Sequence, residues 1–168
     1  MGSVKTVGII GAGQMGSGIA QVCALAGMDV LMHDVSVERI DKGLSMVGSG
    51  LTRQVTSAKI TEDVRAAALT HVRAAATVAD LAPCDLVIEA ATEDEAVKRK
   101  IFIDLCPKIK KSAILATNTS SISITRLASV TDRPERFIGM HFMNPVPMMQ
   151  LVELIRGIAT EDETFGLS

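Results

Sequence analysis

Short apolar runs rich in β-branched residues alternate with amphipathic stretches along the whole chain. "TVGII" (6–10) is followed by glycines, then by apolar positions at helical period in "MGSGIAQVCALAG" (15–27), which Gly27 can close just past the last turn. "DVLMHD" (29–34) predicts a second strand, and Ser36 is placed to cap a helix that begins "VERIDKGL" and runs less regularly through Gly48 and Gly50 towards Thr56. A helix is expected over "TEDVRAAAL" (61–69) and a strand over the sparser "VRAAATV" (72–78). "DLVIEAA" (85–91) reads as a strand, and Thr92 with Glu95 has capping-box spacing at the head of "EDEAVKRKIFIDLCPKI" (93–109). "AILATNTS" (113–120), the short helix "SITRLASV" (123–130), and the strands "RFIGMHFM" (136–143) and "MQLVELI" (149–155) complete the alternation. Thr160, with Glu163 three residues on, has the signature of one more helix start.

That alternation is the pattern of parallel strands joined by crossover helices. It predicts an α/β domain over residues 1–168: a doubly wound, mostly parallel sheet with helices on both faces, without internal repeat or low-complexity linker. The mean hydropathy of +0.33 is high for such a domain, so either the sheet is buried on both faces or some surface expects a partner. With a net charge of −2, no Trp, no Tyr and four Phe, the chain has neither the basic surface nor the stacking residues of a nucleic-acid binder. No apolar run approaches the roughly 18 residues of a membrane span, and no signal peptide precedes the first strand. Three scattered cysteines, with no CxxC and no histidine at metal spacing, read as reduced thiols in a cytoplasmic setting and give no metal site.

"GAGQMG" (11–16) fits GxGxxG in the context the pattern requires: a strand ends at Ile10, a helix follows, and an acid closes the next strand at Asp34. This makes the fold Rossmann-type. Gly11 permits the tight turn, Gly13 lets backbone approach a pyrophosphate, and Gly16 lets helix and strand pack closely; Gln14 and Met15 fill the loop between. The helix N-terminus offers free N–H groups to phosphate. Asp34 can accept both hydroxyls of an adenosine ribose and would repel a 2′-phosphate, and Val35 beside it is no arginine, so NAD is expected rather than NADP; FAD uses the same fingerprint and stays a rival.

Glu153 stands alone in an apolar strand, twelve residues after His141. If 136–143 and 149–155 are neighbouring strands, the two can meet, and the carboxylate would fix the imidazole tautomer and stabilise the imidazolium. Ser120 and Asn144 also fall at or just after strand ends, where open parallel sheets bind ligands. Ser120 could equally cap the next helix, and Asn144-Pro145 could equally be a turn.

Taken together, "GAGQMGSGIAQVCALAG", "DLVIEAATEDEAVKRKIF", "ATNTSSISIT" and "GMHFMNPVPMMQLVELI" resemble the NAD-binding half of the 3-hydroxyacyl-CoA dehydrogenases, of the short-chain 3-hydroxybutyryl-CoA type. The resemblance covers essentially the whole chain. It implies an acyl-CoA substrate in fatty acid or butanoate metabolism. His141 would be the general base, Glu153 its partner, and Ser120 a hydrogen-bond donor to the substrate oxygen. Asn144 would lie near nicotinamide and substrate, and Glu93 and Lys98 would contact the cofactor. In the 47–59 region, where the family binds coenzyme A, Arg53 and Lys59 are the basic candidates. The family carries a second, all-helical domain that closes the cleft and forms a homodimer; this chain stops before it, so NAD(H) binding with poor turnover is expected of these residues alone. A non-catalytic dinucleotide-binding module and a dehydrogenase of free 3-hydroxy acids are the rival readings.

Overall fold

The computed structural model describes residues 4–119, 121–143, 146–148, 152–157, 159 and 160. Five of the apolar runs are now strands of a parallel ladder: β1 (Thr6–Ile10), β2 (Asp29–His33), β4 (Leu86–Glu89), β5 (Ile114–Thr117) and β6 (Phe137–Phe142). A short β3 (Val72–Ala74) adds to the β2 edge, and β7 (Val152–Arg156) runs antiparallel along β6. The order is β3-β2-β1-β4-β5-β6-β7, so the chain reverses direction of winding between β1 and β4. That reversal opens a crevice at the carboxyl ends of β1 and β4.

The helices are α1 (Gln14–Leu25), α2 (Val37–Thr56), α3 (Glu62–His71), α4 (Glu95–Leu105) and α5 (Ile124–Ala128). Alternation along the strands sends side chains into two separate cores. On one face Ile9, Leu86, Ile88 and Met140 pack with Ile19 of α1, Val47 of α2 and Ala68 of α3. On the other, Val87 and Leu115 pack with Phe102 of α4 and Leu127 of α5, where the Phe102 and Phe137 rings meet edge-on at 4.9 Å. β4 and β5 are buried along their whole length, and this two-faced burial accounts for the high hydropathy. Burial of each such aromatic or aliphatic side chain contributes about 1.5–3 kcal/mol.

α2 runs unbroken through Gly48 and Gly50 to Thr56, as the pattern predicts, and Gly50 faces the Gln21 side chain. Elsewhere the boundaries differ from the pattern in a few places. The cap of α4 is Asp94, whose carboxylate accepts from Val97 N, rather than Thr92; Thr92 instead accepts from Asp94 N in the turn before it. Only three residues of "VRAAATV" pair with β2, since Thr77 begins a capped 3-10 turn at Val78–Leu81. At the chain's end the Thr160 hydroxyl donates back to the Phe137 carbonyl, while the residues expected to form a helix beyond it, like positions 149–151 of the last expected strand, lie outside the described residues. No described helix is long and apolar enough to cross a membrane.

All three cysteines are buried; burial pushes the Cys23 thiol up to about 11 and the Cys84 thiol up to about 12, so both serve as packing groups. At the opposite edge from the crevice, Asp85 joins the starts of β1 and β4. Its carboxylate accepts from Lys5 N at 2.9 Å and Thr6 N at 3.0 Å, and pairs with Lys110. Partial desolvation pushes that carboxyl up, but the hydrogen bonds from Lys110 and the two N–H groups outweigh it and hold the group below its ordinary value. A depressed folded value means stability that is present above the unfolded value and lost as pH falls through the folded one. Asp85→Asn should therefore lower stability by up to about 1 kcal/mol near neutral pH, the Lys110 share being screened by solvent. Urea unfolding of the two proteins should show that gap closing below about pH 4; a gap that stays constant with pH would contradict the assignment.

Candidate active site

The crevice begins with the glycine turn after β1. Gly11 has a φ of +115°, and a Cβ there would strike the Ala90 carbonyl group and Ala91 Cα, so the turn needs glycine both for its conformation and for the approach of β4. A Cβ on Gly16 would collide with the Gly11 carbonyl oxygen. Gly13, by contrast, faces open space at the head of α1, where it is the N-cap residue with no side-chain cap, and the first turn carries no acid. An uncapped helix N-terminus beneath an open glycine suits a diphosphate.

Asp34, directly after β2, accepts from Ala12 N at 2.8 Å and Val35 N at 2.7 Å, which braces the glycine turn. A carboxylate has about four acceptor positions, so two are left for ribose hydroxyls. Asp34 lies in a cleft of about 550 Å³ together with Ile10, Val35, Ala91 and Thr92. Arg39 lines the same cleft, an arginine that inspection of position 35 alone did not reveal. These residues fit a dinucleotide laid across the ends of β1, β2 and β4.

Two groups assigned by resemblance to the cofactor behave differently from each other. Glu93 is exposed on the loop after β4 and accepts from the hydroxyls of Thr119 at 2.8 Å and Ser121 at 3.2 Å, tying that loop to the one after β5. Lys98 has no exposure at all. Its ammonium lies 2.5 Å from the Glu89 carboxylate, which is also fully buried, and 3.3 Å from the Thr117 hydroxyl. Thr117 and Ala91 N also donate to Glu89, each at 2.8 Å. In this arrangement Lys98 is an internal counter-ion below the crevice, not an open contact for the cofactor, because α4 packs its first turn inward. Sequence reasoning passed over Glu89, although a signal existed: Lys98, Phe102 and Leu105 share the buried face of α4 at helical spacing, so a lysine stands in an apolar stripe next to a strand that ends in glutamate.

His141 and Glu153 are direct partners in the β6–β7 register, which puts them side by side on one face at this same end of the sheet. His141 is half-buried and Glu153 exposed. His141 Nδ1 is buried and has no hydrogen-bond partner among the described residues, and the two side chains make no ion pair here. The expected juxtaposition is present; the hydrogen bond between them is not made in this arrangement. Ser120 and Asn144 lie outside the described residues. Among the described residues, no cluster of His, Cys, Asp and Glu could hold a metal ion.

A second depression runs between α1 and α2. Two grooves of about 420 and 540 Å³ share Gln21, Arg53 and Pro147; the first reaches Gln14 and Lys42, the second reaches Lys59. Arg53 and Lys59 are therefore joined on one surface, and Lys42 adds a basic residue that lies outside the 47–59 segment.

The fold and the glycine crevice define a dinucleotide-binding α/β domain with a histidine–carboxylate pair on its ligand-binding edge. The family described as "3-hydroxyacyl-CoA dehydrogenase, NAD binding domain" matches residues 6–167, and the chain belongs to it. NAD is accordingly its cofactor. The chain is 61% identical over 165 residues to a 3-hydroxybutyryl-CoA dehydrogenase of Bradyrhizobium diazoefficiens, covering 98% of this chain and 56% of the relative. It is 43% identical over 159 residues to a fatty acid oxidation complex subunit alpha of Pseudomonas putida, covering 95% of this chain and 22% of that protein. The crystal structure of (S)-3-hydroxybutyryl-CoA dehydrogenase from Ralstonia eutropha superposes with a TM-score of 0.95 at 51% identity, covering 98% of this chain and 58% of that one. This chain thus spans 56% and 58% of the two 3-hydroxybutyryl-CoA dehydrogenases and 22% of the fatty acid oxidation subunit.

The internal role of Lys98 is testable. Removing one partner of a buried ion pair costs roughly 3–5 kcal/mol, whereas trimming an exposed ligand-binding lysine costs little. Lys98→Met, which keeps most of the unbranched stem and removes the ammonium, should lower unfolding stability by an amount in that range in denaturant titration. A loss below about 1 kcal/mol would return Lys98 to the cofactor surface.

Proposed function

We propose that the protein interconverts (S)-3-hydroxyacyl-CoA and 3-oxoacyl-CoA, with 3-hydroxybutyryl-CoA and acetoacetyl-CoA as substrates, in fatty acid or butanoate metabolism. The observation that carries this reading is the His141–Glu153 register at the same sheet edge as the glycine crevice. NAD, when bound, supplies the acceptor for the hydride that leaves C3. His141 removes the 3-hydroxyl proton and holds it at Nε2, since Nδ1 is the buried nitrogen. Glu153 swings from its exposed position to accept from Nδ1–H, which fixes the tautomer and stabilises the imidazolium. In the reductive direction His141 returns the proton to the substrate oxygen. General acid–base help of this kind contributes about 10²–10⁴ in rate.

Ser120 is assigned to the substrate oxygen; the residues on either side of it in sequence, Thr119 and Ser121, both donate to Glu93. Asn144 is assigned to the nicotinamide side of the substrate. The grooves between α1 and α2 lead away from Gln14 and Pro147 towards Arg53 and Lys59, a path of the right charge for coenzyme A phosphates, with Lys42 beside it. Asp34 disfavours NADP by repulsion of a 2′-phosphate. Three buried free thiols suit a reducing, cytoplasmic compartment. The homodimer implied by the family resemblance would be built by chain that the longer relatives carry beyond this length.

The test is NADH oxidation with acetoacetyl-CoA, run against free acetoacetate and against NADPH. Acetoacetyl-CoA with NADH should be the productive pair. His141→Gln should lower kcat about a hundredfold or more while the Kd for NADH, read by fluorescence, stays within about threefold. Equal turnover of free acetoacetate would favour a dehydrogenase of hydroxy acids, and residual turnover indifferent to His141→Gln would leave a dinucleotide-binding module.

A further inference from the structure

The β5–β6 ladder ends at Thr117↔Gly139, yet β6 continues to Phe142, past the point where β5 has backbone to offer it. His141 lies in this overhang. The next residue's backbone N–H still finds an acceptor on the β5 side: the side-chain carbonyl oxygen of Asn118, 2.9 Å from Phe142 N in a buried bond. Asn118 is 8% exposed, and its own N–H donates to the Glu89 carbonyl at 2.8 Å. Glu89 is the residue before Ala90, whose N–H donates to the Ile10 carbonyl at 2.8 Å, one residue before the glycine turn. A row of hydrogen bonds thus crosses the sheet at its carboxyl edge, from the last residue of β1 through β4 and Asn118 to the residue after His141. Every link is backbone to backbone except the last, which is a side chain standing in for the missing strand.

We propose that Asn118 is a positioning residue for the reaction: by extending the ladder one step with its side chain, it sets the placement of His141 relative to the nicotinamide end of the crevice. The inference rests on the dehydrogenase reading for its catalytic part. Asn118 acts through His141 and needs no contact with substrate. A carboxamide suits the position because a neutral acceptor satisfies the N–H without adding a buried charge. An error of about 1 Å in a catalytic group can cost about 10² in rate, so loss of this single bond should be felt in turnover before it is felt in binding.

The test compares Asn118→Leu, which keeps the bulk and removes the acceptor, with Asn118→Asp, which keeps an oxygen in the same place. Asn118→Leu should reduce kcat for acetoacetyl-CoA about thirtyfold or more with the Kd for NADH within about threefold, and Asn118→Asp should recover at least about a third of the logarithmic loss. Native-state hydrogen exchange of the Phe142 amide is read alongside. It should be protected in the wild type by about a hundredfold or more and lose about tenfold of that in Asn118→Leu. Turnover in Asn118→Leu within about threefold of wild type, equal losses in both variants, or an unprotected Phe142 amide in the wild type would each overturn the proposal. A wild type that does not reduce acetoacetyl-CoA at all defeats the dehydrogenase reading instead, and the exchange measurement on the wild type then decides the structural claim by itself.

Discussion

A carboxylate with no exposure is stable only if its lone pairs are answered, and Glu89 is answered by Lys98 Nζ, the Thr117 hydroxyl and Ala91 N. Those three donors come from α4, from β5 and from the chain just past β4. The pair is therefore a clamp at the point where the sheet reverses its winding. A well-packed apolar substitute could match it in free energy. It could not give Ala91 N an acceptor, and the Ala90–Ala91 backbone is the surface against which the Gly11 turn rests. The charge pair specifies where the backbone runs, and the dinucleotide crevice follows from that path.

With the segment after β4 fixed, the phosphate end of the crevice is assembled without a ligand. Asp34 draws Ala12 N and Val35 N towards itself, Gly11 N donates to the His33 carbonyl, and Gly16 sits against the Gly11 carbonyl oxygen. The ordering of this loop is thus met during folding rather than at binding, which favours affinity. Open space remains at Gly13, where a ligand would approach most closely.

How much of this was legible varied with the range of the interaction. The strands and helices followed from local periodicity, and GAGQMG with Asp34 from a spacing that strand length and turn geometry impose. The His141–Glu153 pairing was also readable, because one short connection between neighbouring strands leaves few registers. The Glu89–Lys98 pair was harder: a lysine on a helix ordinarily points to solvent, and only the docking of α4 over β4 turns it inward. The role of Asn118 was harder still, since it depends on where one ladder stops, and ladder ends are set by twist and packing rather than by composition. The cap of α4 moved two residues from Thr92 to Asp94 for a similar reason: both are competent N-caps, and the turn after β4 decided between them.

The histidine pair depends on β7 being antiparallel. A parallel neighbour would need a long crossover, and its start would lie at the far edge of the sheet. An antiparallel return brings position 153 back to the edge it left at 141, and a slip of one residue would send the carboxylate to the opposite face. The connection between the strands is not a free loop in its middle: the 3-10 turn Val146–Met148 packs on α1, with Val146 buried and lying where a Cβ on Gly18 would collide. Gly18 is two residues past Gly16 on the same helix whose head faces the open glycine. The strand pair that carries His141 and Glu153 is thereby seated on the helix whose head faces the open glycine, so the two halves of the candidate site share one rigid element. Their separation is set by side-chain packing between α1 and a turn, an interface where even one added methyl group would have to move backbone.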